Sequence, residues 1–230
     1  MENHTRPPAQ FPPVQRLSPR LPDRSPTLTP ADRIERDLHE DGLRDWGFVI
    51  YRCTYQSNTA WVEFMRRLLA NTKDTLESWG DLDLLDNLAL TVIEDSRSLD
   101  GATTAVIRQH FRQWVATAVQ EAPDATSPRL QLSQRYNFCL QITQDVLDSV
   151  LTDEEEGGFV RLIRRDWKEY DPFYEGERLE DEEEAIEGCT LEDVGWMKVP
   201  FDGVMVVPWY YLRGAGWEHE YRRPPEIAPF

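Results

Sequence analysis

Apolar and polar positions along this chain switch between two periods, and the switches mark out strands and helices in turn. Trp46-Gly47-Phe48-Val49-Ile50-Tyr51-Arg52-Cys53-Thr54-Tyr55 is a run of aromatic and β-branched residues, the composition of a strand. Just after it, Ser57 or Asn58 can cap a helix in which Trp61, Phe64, Met65 and Leu68 share one face while Glu63, Arg66 and Arg67 face out. The unit repeats. Leu88–Ile93 predicts a strand, and Asp100-Gly101 then opens a helix with Ile107, Phe111, Trp114, Val115 and Ala118 on one side. Beyond a loop at Pro123–Pro128, the segment Arg135–Ile142 alternates with period two and leads into a helix over Gln144–Leu151.

Shorter elements complete the pattern. Arg33–Glu40 predicts a helix stopped by Gly42, Gly157-Gly158 opens a strand over Phe159–Ile163, and Gly195–Pro200 gives another. Val204–Leu212 has no period that fixes its type. Strand–helix–strand units plus extra strands predict an α+β fold, a mixed sheet with helices packed on one face, and a ferredoxin-like arrangement is favoured. One domain spans residues 32–230. Residues 1–31 hold eight of the sixteen prolines and read as a disordered, weakly basic tail.

Charge changes this picture in one region. The chain carries 42 Asp plus Glu against 25 Lys plus Arg, a formal −17, which disfavours a general nucleic-acid or anionic-membrane surface. Twelve of the acids and one base lie between Glu169 and Asp193. This acidic insertion, 169–193, reads either as a solvated loop or as a receptor for a guanidinium, since carboxylates grip that group through bidentate, charge-assisted hydrogen bonds. Immediately before it come Arg161, Arg164, Arg165 and Lys168, with Trp167 among them. They read as ion-pair partners for the neighbouring acids, or as a local phosphate-binding patch with a stacking face.

Arg52 is a full charge inside an apolar strand, so it needs a partner. Glu94 or Asp95 at the end of the next strand would pair with it in the core; alternatively Arg52, Tyr55, Glu94 and Asp95 form part of a substrate site at the strand rim. Cys53, Thr54 and Ser57 are available as nucleophiles, with no base placed beside them by the sequence. Three widely spaced cysteines and four scattered histidines predict neither a disulfide framework nor a metal centre. Phosphate-loop, nucleophile-elbow, zincin and dinucleotide fingerprints are missing, so no cofactor is expected. No segment has the length and apolarity of a signal peptide or membrane span, and the chain is expected to be cytoplasmic.

The Trp46–Tyr55 strand, Leu99-Asp100-Gly101-Ala102, Glu187-Gly188-Cys189-Thr190, Gly195-Trp196-Met197-Lys198-Val199-Pro200 and Arg223-Pro224-Pro225-Glu226 together resemble a large group of fungal proteins. That resemblance spans about residues 32–228, and within or close to that group the chain is similar in particular to the fungal arginine-containing cyclodipeptide synthases. That resemblance implies an enzyme that joins arginine from arginyl-tRNA to a second aminoacyl group from another charged tRNA and closes the pair into a diketopiperazine. The family's Asp-Asp-x-x-Glu motif maps onto Glu180-Asp181-Glu182-Glu183-Glu184, with Glu in place of the first Asp, which makes Glu180, Asp181 and Glu184 the implied catalytic acids. Arg161, Arg164, Arg165 and Lys168 would then meet the tRNA. A non-catalytic module whose acidic segment docks basic partners is the alternative expectation.

Overall fold

A computed structural model describes residues 28–121, 132–152, 157–168 and 184–230. The chain runs through α1 (Pro30–Asp41), β1 (Val49–Arg52), α2 (Asn58–Trp79), a 3-10 turn (Leu82–Asn87), β2 (Thr91–Glu94), α3 (Ser96–Leu99), α4 (Thr104–Glu121), α5 (Gln134–Asn137), β3 (Phe138–Ile142), α6 (Gln144–Thr152), β4 (Phe159–Arg164), β5 (Trp196–Pro200), α7 (Val207–Tyr211) and α8 (Gly216–Glu220). Residues 1–27 of the proline-rich segment and 169–183 of the acidic insertion lie outside the described residues.

The helix boundaries follow local chemistry. Thr29 and Asp32 form a capping box at the start of α1, and Gly42 closes it in the left-handed region at φ 73°. Ser57 accepts the Ala60 amide to start α2, and Gly80 ends it in the same way. Val207-Pro208 starts a single helical stretch in the segment whose period was ambiguous.

The five strands form one mixed sheet in the order β2-β1-β3-β4-β5. β1 is parallel to both β2 and β3, whereas β4 and β5 add as antiparallel strands. The α+β class and mixed sheet agree with the sequence reading. The favoured ferredoxin-like arrangement does not: that topology needs a hairpin between its second and third strands, and here α4 stands between β2 and β3.

The helices also occupy both faces of the sheet instead of one. The chain leaves β1 for β2 on one side, then returns across β1 to lay β3 on the other. Right-handed crossovers in opposite directions put their helices on opposite faces. One core accordingly packs Ile50, Leu140, Ile142 and Leu162 against α1, α2 and α6, with Trp209 and Trp217 closing its end. The other packs Val49, Tyr51, Cys139 and Ile163 against Ile107, Phe111 and Val115 of α4 and against Val194 and Trp196. Gly195 is fixed by that second core, because a Cβ there would sit 2.3 Å from the Trp167 ring.

Candidate functional site

A sheet built outward from β1 in both directions has a switch point at the carboxyl ends of β1 and β3. There the loops diverge to opposite faces and leave a crevice, the usual ligand position in open α/β sheets. In this protein a cavity of about 300 Å³ lies there, lined by Cys53 and Thr54 beyond β1, Asp100–Thr103 before α4, Thr143–Asp145 at the start of α6, Arg161 of β4 and Glu187. The walls are tied by backbone bonds from the Cys53 amide to the Ile142 carbonyl, 2.8 Å, and from the Gly101 amide to the Cys53 carbonyl, 3.1 Å. Beneath them Gln141, fully buried, donates from Nε2 to the Ala102 carbonyl at 2.7 Å.

Three carboxylates, Asp100, Asp145 and Glu187, face one cation, Arg161, so the crevice carries an excess of negative charge. Arg161 bridges two of them. Its guanidinium lies 2.9 Å from Asp145 and 3.6 Å from Glu187 and rests 4.9 Å from the ring centre of Trp196. Burial pushes the Asp145 carboxyl up, yet the Thr143 hydroxyl and Arg161 together hold it below the usual range. Glu187 takes a left-handed backbone, φ 51°, in the turn between Ile186 and Cys189. From there its carboxylate accepts the Thr104 amide at 3.1 Å and the Thr104 hydroxyl at 2.6 Å. Asp145 and Glu187 thus each sit at the N-terminal end of a helix, where the exposed amides favour negative charge.

None of the expected nucleophiles is activated. Cys53 is 2% exposed, and burial pushes its thiol up to about 12, so it is protonated at neutral pH. The Thr54 hydroxyl is donated to Gln144 Oε1 at 2.6 Å, and Ser57 caps α2.

The expected substrate residues cluster one strand away. Arg52 is 6% exposed and points to the α2 face. It donates to the Thr54 carbonyl, to Asn58 Oδ1 at 2.6 Å and to Glu94 at 3.4 Å, with Tyr55 and Trp61 packed on its guanidinium at 4.5 and 5.0 Å. This is the expected ion pair with Glu94, whose side chain is 45% exposed, and Arg52 braces the loop that forms one wall of the crevice. Asp95 caps α3 through the Arg97 amide, and the Ser98 hydroxyl, together with that cap, holds its carboxyl below the usual range.

The four basic residues do not share one face. Arg161 points into the crevice, Arg164 pairs with Glu218 beside Trp217 on the other side of the sheet, Arg165 pairs with Asp166, and Lys168 is exposed. Trp167 is not a free stacking platform, since its ring covers Arg108 at 4.5 Å and its Nε1 donates to the Asp193 carbonyl. Among the implied catalytic acids, Glu180 and Asp181 lie outside the described residues, and Glu184 lines a separate, larger groove of about 730 Å³ with Arg222, Arg223 and Glu226. Its charged lining is three carboxylates, Glu184, Glu192 and Glu226, and two guanidiniums, Arg222 and Arg223.

The sequence marks Gln144 and Asp145 only as the start of a helix, Thr143 not at all, and Glu187 only as one acid of the run and the first residue of a motif. The signal for them lay in the pattern strand, polar pair, helix at 138–152, which places Asp145 at a parallel strand's carboxyl end. Among the described residues, no group of three or more His, Cys, Asp and Glu is arranged to hold a metal ion, and no helix is long and apolar enough to cross a membrane. Comparison with protein-family models, with curated proteins and with solved structures finds no match.

Proposed function

We propose that the crevice at the carboxyl ends of β1 and β3 receives the arginyl group of arginyl-tRNA, and that the protein is an aminoacyl-tRNA-dependent synthase forming an arginine-containing cyclic dipeptide. The observation that carries this reading is the crevice's charge: three carboxylates around one guanidinium, at the position where open α/β sheets bind their ligands. The resemblance in the strand and loop motifs supplies the reaction. An aminoacyl ester is already activated, and an α-amine with an ordinary pKa near 7.7–8.0 attacks it once deprotonated and positioned. Each of the ring's two C–N bonds forms as one ester C–O bond breaks, the proton lost by the attacking amine leaving on the ribose oxygen. The buried, protonated Cys53 thiol favours direct aminolysis over a covalent acyl-enzyme.

A second reading follows from one observation. Arg161, Arg164 and Arg165 are each matched to a carboxylate, which favours a crevice that takes free arginine or a related amine without tRNA. Incubating the full chain with arginyl-tRNA and a mixture of charged tRNAs, and following cyclic dipeptides by mass spectrometry, separates the two. The synthase reading predicts an arginine-containing cyclic product, reduced at least tenfold by Asp145→Asn. Binding of free arginine with no product from any charged tRNA would support the second reading.

A further inference from the structure

The crevice already holds a guanidinium. Arg161 reaches from the middle of β4 to a carboxylate of α6 on one side and a carboxylate of the 186–189 turn on the other, with the flat face of Trp196 against it. Two carboxylates from separate elements and an indole face are the parts of a guanidinium receptor. The grip is incomplete. Arg161 Nε is buried with no hydrogen-bond partner among the described residues, and the contact to Glu187 is 3.6 Å, longer than a hydrogen-bonded pair. Asp145 and Glu187 are themselves 47% and 30% exposed, so these pairs border solvent, where ion pairs are weak and open readily.

We propose that Arg161 is a built-in occupant of the ligand's own subsite: a ligand guanidinium binds by exchange, taking Arg161's place between Asp145 and Glu187 and against Trp196. Exchange has an energetic logic. Removing a cation from a pair of partly buried carboxylates leaves them uncompensated, whereas swapping one guanidinium for another keeps both paired throughout. It also sets a discrimination. A planar fork satisfies both carboxylates and stacks on the indole, while an ammonium offers a point charge and no stacking face. Displaced, the Arg161 side chain has solvent on one side, being 19% exposed.

This inference rests on the reading of the crevice as an arginine site but not on the transfer reaction. The test is titration calorimetry of the full chain with L-arginine, with L-lysine and neutral L-citrulline as comparison ligands. Removing the occupant should tighten binding: Arg161→Met is expected to bind L-arginine about tenfold more tightly than the unaltered chain, and Arg161→Gln to do the same if Met disturbs the fold. Adding Asp145→Asn to either variant should abolish the gain. L-lysine should bind more weakly than L-arginine to every variant, and L-citrulline not at all. Binding that weakens or stays unchanged in both Arg161 variants would overturn the proposal, because Arg161 would then be a ligand contact or a bystander. If that happens while the unaltered chain still forms a cyclic dipeptide from charged tRNA, the exchange fails and the synthase stands. A tenfold gain without any cyclic product leaves the exchange standing and removes the synthase.

Discussion

At the scale of single residues, the most informative side chain is Arg52, because its position was legible and its role depended on the fold. An arginine in an apolar strand must find an acceptor, and the acid at the end of the neighbouring parallel strand is within reach. Glu94 is the register partner of Arg52 across β1 and β2, and the carboxylate meets the guanidinium at 3.4 Å. Arg52 Nε holds the Thr54 carbonyl, so the side chain braces the crevice wall. Replacing Arg52 with Met keeps the contacts with Tyr55 and Trp61 but leaves the carbonyl of buried Thr54 without its donor, while exposed Asn58 can turn to water. Burying such a carbonyl unpaired costs about 1–3 kcal/mol. Arg52→Met should therefore lower stability by roughly 1–3 kcal/mol, read as a shift of the urea midpoint. A loss below about 0.5 kcal/mol, within the range of ordinary surface substitutions, would mean that Arg52 braces nothing.

At the scale of elements, α1 buries Ala31, Ile34 and Leu38 in the core and is tied in addition to the segment after α7 by one arginine shared among three acids. Arg213 makes a paired contact with Asp41 at 2.8 and 3.0 Å, while Asp37 and Glu40 lie 3.5 and 3.6 Å away. Asp41 takes the better geometry, so burial dominates at Asp37 and pushes its carboxyl from 3.8 to about 6, against the pull of Arg213 and Arg36. A carboxyl raised on folding stabilises the native state fully below its unfolded value and loses that contribution as pH rises through the folded one. Stability from this group is thus present near pH 4 and gone above about pH 6, a swing of roughly 3 kcal/mol at most. Asp37→Asn should flatten the dependence of Tm on pH between 4 and 7 and be at least as stable as the unaltered chain at pH 7.5. An unchanged pH profile in the variant would show that another group controls it. Elements of this kind were readable from the sequence: the stripe of Trp61, Phe64 and Leu68, the cap at Ser57 and the Gly42 stop each act within a few residues. Val207–Tyr211 was not, because an apolar segment of five residues fits either period. The pairing of Glu187 with Thr104 was beyond reach as well, being a contact between residues 83 positions apart.

At the scale of the whole molecule, the candidate site is a consequence of chain direction. The sheet grows to both sides of β1, the crossover helices fall on opposite faces, and the loops they leave at the strand ends part around a crevice. Periodicity finds the strands but is silent on which lies beside which, so the polar residues of four separate loops gave no sign of meeting. The same assembly decides how this protein could hold a polyanion at a formal charge of −17. Of the basic residues expected to meet tRNA, Arg161, Arg164 and Arg165 are already matched to acids, which leaves Lys168, together with the arginines at positions 6, 16, 20 and 24 of the weakly basic N-terminal segment, as the set to meet phosphates. Each neutralised phosphate contributes about −0.7 to −0.9 to the slope of log K against log salt. Five contacts then predict a slope no steeper than about −4.5 for tRNA, measured by fluorescence anisotropy over roughly 50–200 mM salt. Deleting residues 1–27 should bring the slope to about −1, the value for Lys168 alone. A slope that stays steep after that deletion would require the ion pairs at Arg161, Arg164 and Arg165 to open toward the RNA, and would make the β4 arginines, not the N-terminal ones, the surface that meets it.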